Sequence, residues 1–124
     1  MKATNEITGS EDVLDSRDII ARIAYLENDR EAGILTDEEA VELAELKEAA
    51  EEAEGYVSDW PHGETLIRDS YFARYAEELA EDLGAIDPNA GWPLYCIDWE
   101  QAARDLRMDY TEIAVRGSTY YARV

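Results

Sequence analysis

Three observations predict an α+β fold, mainly helical, for this chain of 124 residues. From about position 16 to position 83, apolar residues recur at helical spacing between Gly stops and Thr, Asp or Ser caps. In the last fifteen residues, β-branched and aromatic residues replace the helix formers. Aromatic residues are plentiful (Trp60, Trp92, Trp99, Phe72 and eight Tyr), so a heavily charged chain can still build a core. The expected arrangement is an N-terminal antiparallel helical hairpin, two further helices and a small C-terminal β-hairpin. Residues 1–15 form a flexible N-terminus, and 16–124 form a single compact domain with the helical hairpin at 16–55.

The first helix runs from Arg17 to about Ala32, capped by Asp15 or Ser16. Ile19, Ile20, Ile23, Ala24 and Leu26 make its apolar face, and Gly33 ends it. Thr36 with Glu39 three residues on is a capping box for a second helix, about 37–54, free of Gly and Pro. Its seam is Ala40, Leu43, Leu46, Ala50 and Ala53. A loop with Trp60-Pro61-His62 follows. A third helix spans about Leu66 or Asp69 to Leu83, burying Phe72, Tyr75, Ala76, Leu79, Ala80 and Leu83. Positions 87–91 read as a turn, and 94–97 as a short extended segment that buries Cys96. Asp98 caps a fourth helix, with Gln101 closing its box, and Trp99, Ala102, Ala103 and Leu106 face inward. Tyr110 to Val115 and Tyr120 to Val124 read as strands joined by a turn at 116–119.

The charge narrows the function. Thirty Asp and Glu stand against eleven Lys and Arg, for a net charge of -19. That sign opposes direct binding of nucleic acid and of anionic membranes. Salt-adapted proteins share this acidic, lysine-poor composition. The distribution is uneven: residues 36–54 hold nine acids and one base, whereas 110–124 hold one acid and two bases. On the second helix Glu38, Glu42, Glu45, Glu48 and Glu52 align as a carboxylate stripe, extended on the third by Glu77, Glu78, Glu81 and Asp82. Carboxylates one turn apart repel by about 0.2–0.5 kcal/mol per pair, and few lysines are present to relieve this. Such a stripe can present phosphate-like charge to a basic groove, although a plain solvated face is the commoner use of an acidic helix.

No motif supports catalysis. His62 is the only histidine and Cys96 the only cysteine, so a Cys-based zinc site, an internal disulfide and a convincing triad are all ruled out. Calcium-loop spacing and a phosphate-cradling Gly loop are lacking. No enzyme activity, metal or cofactor is expected. The opening MKATNEITGSED is polar and acidic, unlike a secretory leader, and the expected compartment is the cytoplasm. Tyr71, Tyr110 and Tyr121 are the aromatics least explained by a core and are candidates for an interface.

The stretch from Tyr71 to the end resembles the C-terminal part of the ArdA antirestriction proteins of phages and mobile elements. The matching pieces are YFARYAEELAED at Tyr71 to Asp82, IDWEQAARDL at Ile97 to Leu106, and Asp109-Tyr110 with an aromatic-rich hairpin. They follow the family's order of an acidic "YxxELAED"-like helix, an "IDYEAFARDL"-like capped helix and a closing strand. The resemblance, over 64–124, implies a DNA mimic that acts without catalysis by occupying the DNA site of a Type I restriction-modification enzyme. The expected partner is therefore a basic DNA-binding protein, and a homodimer is compatible with the sequence. Two alternatives stand beside it: an inhibitor of a CRISPR effector, and a non-mimic interaction protein whose helical hairpin docks or dimerises through Leu43 and Leu46.

Overall fold

A computed structural model describes residues 4–87, 89, 91–93 and 96–124. The regular elements are β1 (Val13–Asp15), α1 (Ser16–Glu31), α2 (Asp37–Tyr56), β2 (Thr65–Arg68), α3 (Phe72–Asp82), α4 (Trp99–Leu106), β3 (Tyr110–Val115) and β4 (Ser118–Arg123). Single 3-10 turns lie at Trp60–His62, Asp69–Tyr71 and Arg107–Asp109. The strands form one antiparallel sheet in the order β1-β2-β4-β3. The α+β class, the α1–α2 hairpin and the terminal β3–β4 hairpin are as the sequence predicts. Within the turn expected at 87–91, Pro88 and Ala90 lie outside the described residues, as do Leu94 and Tyr95 of the expected extended segment.

The sheet separates two cores. Alternation along the strands sends Leu14, Leu66, Ile113, Val115, Tyr120 and Ala122 to one face. There they pack with Ile19 and Leu26 of α1 and with Leu43, Leu46, Ala49 and Ala53 of α2. The opposite face presents Ile67, Tyr121 and Tyr110 to Phe72 and Ala76 of α3 and Ala103 of α4. The second layer is thin. Only Phe72, Ala76 and Ala103 are buried in its helices, and Leu83, expected in the core, follows the last residue of α3 and is exposed.

The helix ends follow their local signals. Asp15 caps α1 by accepting from the Arg17 N–H at 2.8 Å. Thr36 and Glu39 close the expected box at 3.1 Å in both directions. Gly33 and Gly84 finish α1 and α3 with matching pairs of bonds, back to Arg30 and, through the next residue, to Asp29 in the first, and to Glu81 and Ala80 in the second. Asp98 caps α4 by accepting from the Gln101 N–H. The Gln101 side chain turns forward to Asp105 instead of back to the cap, so the second box is half formed.

Four expectations are corrected. The segment expected to fray is part of the fold from Thr4 onward: Ile7 and Leu14 are buried, and residues 13–15 pair with β2. Gly9 adopts φ +86 against the β3–β4 turn, where a Cβ would lie 2.8 Å from the Arg116 carbonyl oxygen. Leu66 belongs to a strand, because pairing with Ala122 and Leu14 buries it completely. Cys96 is exposed, since the chain around it contributes no strand among the described residues. In α1, Ile20 and Ala24 face outward while Arg22 takes an inward position.

Candidate functional site

The acidic stripe on α2 is broken at its second member. Glu42 is 1% exposed. It accepts two bonds from Arg22, itself 5% exposed: from Nε at 2.9 Å and from Nη2 at 2.8 Å. The Ile7 N–H donates to the same carboxylate at 3.0 Å. Arg22 spends its remaining Nη1 on the Thr4 carbonyl at 3.0 Å, and its guanidinium lies 5.5 Å from the Tyr25 ring centroid. Burial pushes the Glu42 carboxyl up, but the Arg22 and Ile7 bonds and the nearby Arg116 charge outweigh it, and the group is held below its ordinary value. The bond to Glu42 in turn raises Arg22 above its ordinary value against the effect of burial. A carboxylate neutralised this thoroughly cannot stand in for a phosphate, so Glu42 is removed from the candidate set.

Glu45 is half engaged. It accepts from Arg116 Nη1 at 3.1 Å, while Arg116 Nε donates to the Ile7 carbonyl at 3.1 Å. Arg116 occupies φ +53 at the tip of the β3–β4 hairpin, beside Gly117 at φ +82. Positive φ at both loop residues suits the right-handed twist of the two strands. The Arg22 and Arg116 contacts together strap the N-terminal segment across α1, α2 and the β-hairpin. Glu11 stabilises the same strap. Burial raises its carboxyl, but the N–H groups of Thr8 and Gly9 and the Thr8 hydroxyl lower it further.

What remains of the stripe faces outward. Glu38, Glu48 and Glu52 are exposed, as are Glu51 and Glu54 on the same helix. None of these five closes an ion pair among the described residues, whereas Arg17, Arg22, Lys47, Arg68, Arg107 and Arg116 each close one and Arg74 closes two. From Glu38 to Glu52 the helix advances about 21 Å, roughly six phosphate steps along one DNA strand. Glu51 and Glu54 were legible as exposed acids but lie off the straight stripe that spacing picks out.

The α3 group is less free. Arg74 pairs with Glu77 at 3.3 Å and Glu78 at 3.2 Å, and the Tyr71 hydroxyl donates to Glu78 at 2.8 Å. That bond, with desolvation, raises the Tyr71 phenol. Glu81 is half-buried, and Asp82 is exposed at the helix end. The α3 carboxylates cluster on a different layer from α2, beyond the sheet.

The interface candidates Tyr110 and Tyr121 pack edge-on to Phe72, at 5.2 and 5.3 Å between centroids. Arg107 lies over both the Phe72 and Tyr121 rings and pairs with Asp69. Desolvation raises the Tyr110 phenol and pushes Tyr120 up to about 12. Tyr71 also joins this second core at its margin. Leu43 and Leu46, the residues of the apolar docking alternative, are buried within the chain and cannot meet a partner. His62 is exposed on its 3-10 turn. Among the described residues no three His, Cys, Asp or Glu side chains converge as a metal set, and no helix is long and apolar enough to cross a membrane. No protein-family model, curated protein or solved structure matches this chain.

Proposed function

We propose that this protein is an acidic decoy that inhibits a DNA-binding enzyme of a host defence system by lodging the outer face of α2 in its basic groove. The observation that carries the reading is the row of exposed α2 carboxylates without ion-pair partners among the described residues, while seven of the chain's eleven Lys and Arg pair with acids elsewhere in the fold. A helix that presents unrelieved like charges loses stability to repulsion; meeting a basic surface would relieve it. The resemblance of residues 71–124 to ArdA proteins selects a Type I restriction-modification enzyme as the first target to try. CRISPR effectors, which also hold nucleic acid in basic channels, are the second.

The test is displacement of a fluorescent DNA duplex from a Type I methyltransferase complex at low and raised salt. Displacement that weakens steeply between about 50 and 200 mM salt is expected of a charge-dominated contact. The triple change Glu38→Gln, Glu48→Gln, Glu52→Gln removes three outward charges and leaves the Glu42–Arg22 pair intact. It is expected to melt at or slightly above the wild-type temperature, because like-charge repulsion on α2 is relieved, and to lose at least tenfold in inhibition. Undiminished inhibition by the triple variant would remove α2 as the mimicking face.

A further inference from the structure

The sheet has two edges of unequal kind. β1 supplies only three residues before the chain turns into α1. β3 supplies six, Tyr-Thr-Glu-Ile-Ala-Val, and its partner β4 lies on one side only. The register pairs Val115 with Ser118 and Tyr110 with Arg123. A two-residue loop makes Val115 and Ser118 a hydrogen-bonded pair, and the bond from the Val124 N–H to the Asp109 carbonyl belongs to the same set. Alternation then turns the backbone groups of Thr111, Ile113 and Val115 toward β4 and those of Tyr110, Glu112 and Ala114 away from it. The Tyr110 N–H is taken by the Arg107 carbonyl at the end of the preceding 3-10 turn, and among the described residues no other hydrogen bond outside the ladder reaches the outward groups, which leaves the Glu112 and Ala114 N–H groups open.

Long edges are normally blunted by Lys, Pro, a bulge or a covering segment. β3 contains neither Lys nor Pro, and its register with β4 runs without a bulge. Glu112 and Ala114 are exposed.

We propose that the outer edge of β3 receives an extended segment of a partner protein bearing Lys or Arg, which pairs as a fifth strand. Charge decides the occupant. Glu112 is the one charged side chain of β3, and α2 packs on the adjoining face, with Glu45 reaching Arg116 at the end of the same hairpin. A basic strand therefore meets Glu112 along the edge and the α2 carboxylates beside it. Arg123, opposite Tyr110 on β4, bounds the attractive stretch at its other end. A second copy of this chain fits poorly: each copy carries a net charge of -19, and antiparallel self-pairing brings the two Glu112 side chains close together. The backbone pairing along β3 is distinct from the lodging of α2 in a groove and does not depend on which enzyme the decoy engages, although both draw on the acidic charge of α2.

The probe is a fluorescein-labelled, capped heptapeptide of alternating Val and Lys, with its Val/Glu counterpart as control. Anisotropy is expected to report binding of the Lys peptide alone, and hydrogen exchange is expected to slow at the Glu112 and Ala114 amides. Ala114→Pro removes an outward donor without touching the β4 ladder, a position where an edge strand tolerates Pro. It is expected to weaken the Lys peptide at least tenfold, and Glu112→Lys severalfold. If Ala114→Pro does not fold, N-methylating the peptide amides that face β3 makes the same test on the wild-type protein and should abolish binding. Equal binding of both peptides, unchanged binding to folded Ala114→Pro, or tolerance of N-methylation would overturn the proposal. So would a dimer in sedimentation with the same amides already protected, because the edge would then belong to a second copy.

Discussion

Glu42 and Glu48 are both glutamates on one helix, six residues apart, and they do opposite things. Glu48 is solvated, whereas Glu42 is locked between Arg22 and the Ile7 N–H. Removing one member of a buried pair leaves an uncompensated charge, at a cost of about 3–5 kcal/mol. Glu42→Ala is therefore expected to lower the free energy of unfolding by that amount in urea titrations. Adding Arg22→Met should recover part of it, with the Ile7 N–H still unsatisfied. The pair also sets an acid limit. Because the folded Glu42 carboxyl lies below its ordinary value of 4.5, its contribution is complete above that value and disappears as pH falls through the folded one. Stability measured against pH should fall on the acid side more steeply for the wild-type protein than for Glu42→Gln. The sequence did hold a sign of this pair: Arg22 sits between Ile19, Ile23 and Leu26 on the apolar face of α1, where a cation needs a buried partner. Spacing along α2 alone assigns Glu42 to the stripe, since only tertiary packing separates it from its neighbours.

α1, α2 and the β3–β4 hairpin were legible because their signals are local: a cap, a box, a Gly stop, a Gly-containing turn, although the turn expected at 116–119 is only the two residues Arg116 and Gly117, with Ser118 already in β4. Thr36 illustrates this, since its hydroxyl and Glu39 satisfy the start of α2 within four residues. Thr36→Ala is expected to cost about 1 kcal/mol, read as a shift in the denaturant midpoint with an unchanged slope. β1 and β2 were hidden for the complementary reason. They have three and four residues, too few to display a period, and β2 is made a strand by β4, which pairs Leu66 with Ala122. The thin α3–α4 layer was over-read for a related reason. Its apolar spacing is strong, but spacing does not report how much sheet lies opposite, and only Phe72, Ala76 and Ala103 find full cover.

Across the whole molecule the charge is divided between layers. Arginines tie the strap, the hairpin turn and the second core together, and the outer face of α2 is left acidic. A net charge of -19 disfavours the compact state by self-repulsion. Raising NaCl from about 20 to 500 mM is expected to stabilise the isolated protein by about 1 kcal/mol, a rise in Tm of roughly 3–6 °C. The opposite sign is expected for its complexes, which salt should weaken. Measuring both on one preparation separates a solvated acidic coat, for which only the first effect exists, from a surface aimed at a basic partner.

The strand order has a consequence for how the chain is made. β4 is the last strand in chain order, yet it lies between β2 and β3, and Ser118 and Tyr120 donate to the carbonyls of Gly9 and Glu11 in the strap. During synthesis the α1–α2 hairpin emerges early and can close through contacts near in sequence. Leu14 and Leu66 can cover part of its apolar side, but full cover waits for Ile113, Val115, Tyr120 and Ala122 of β3 and β4. Until then the negative charge of the chain, by mutual repulsion, would work against association of such partly covered chains.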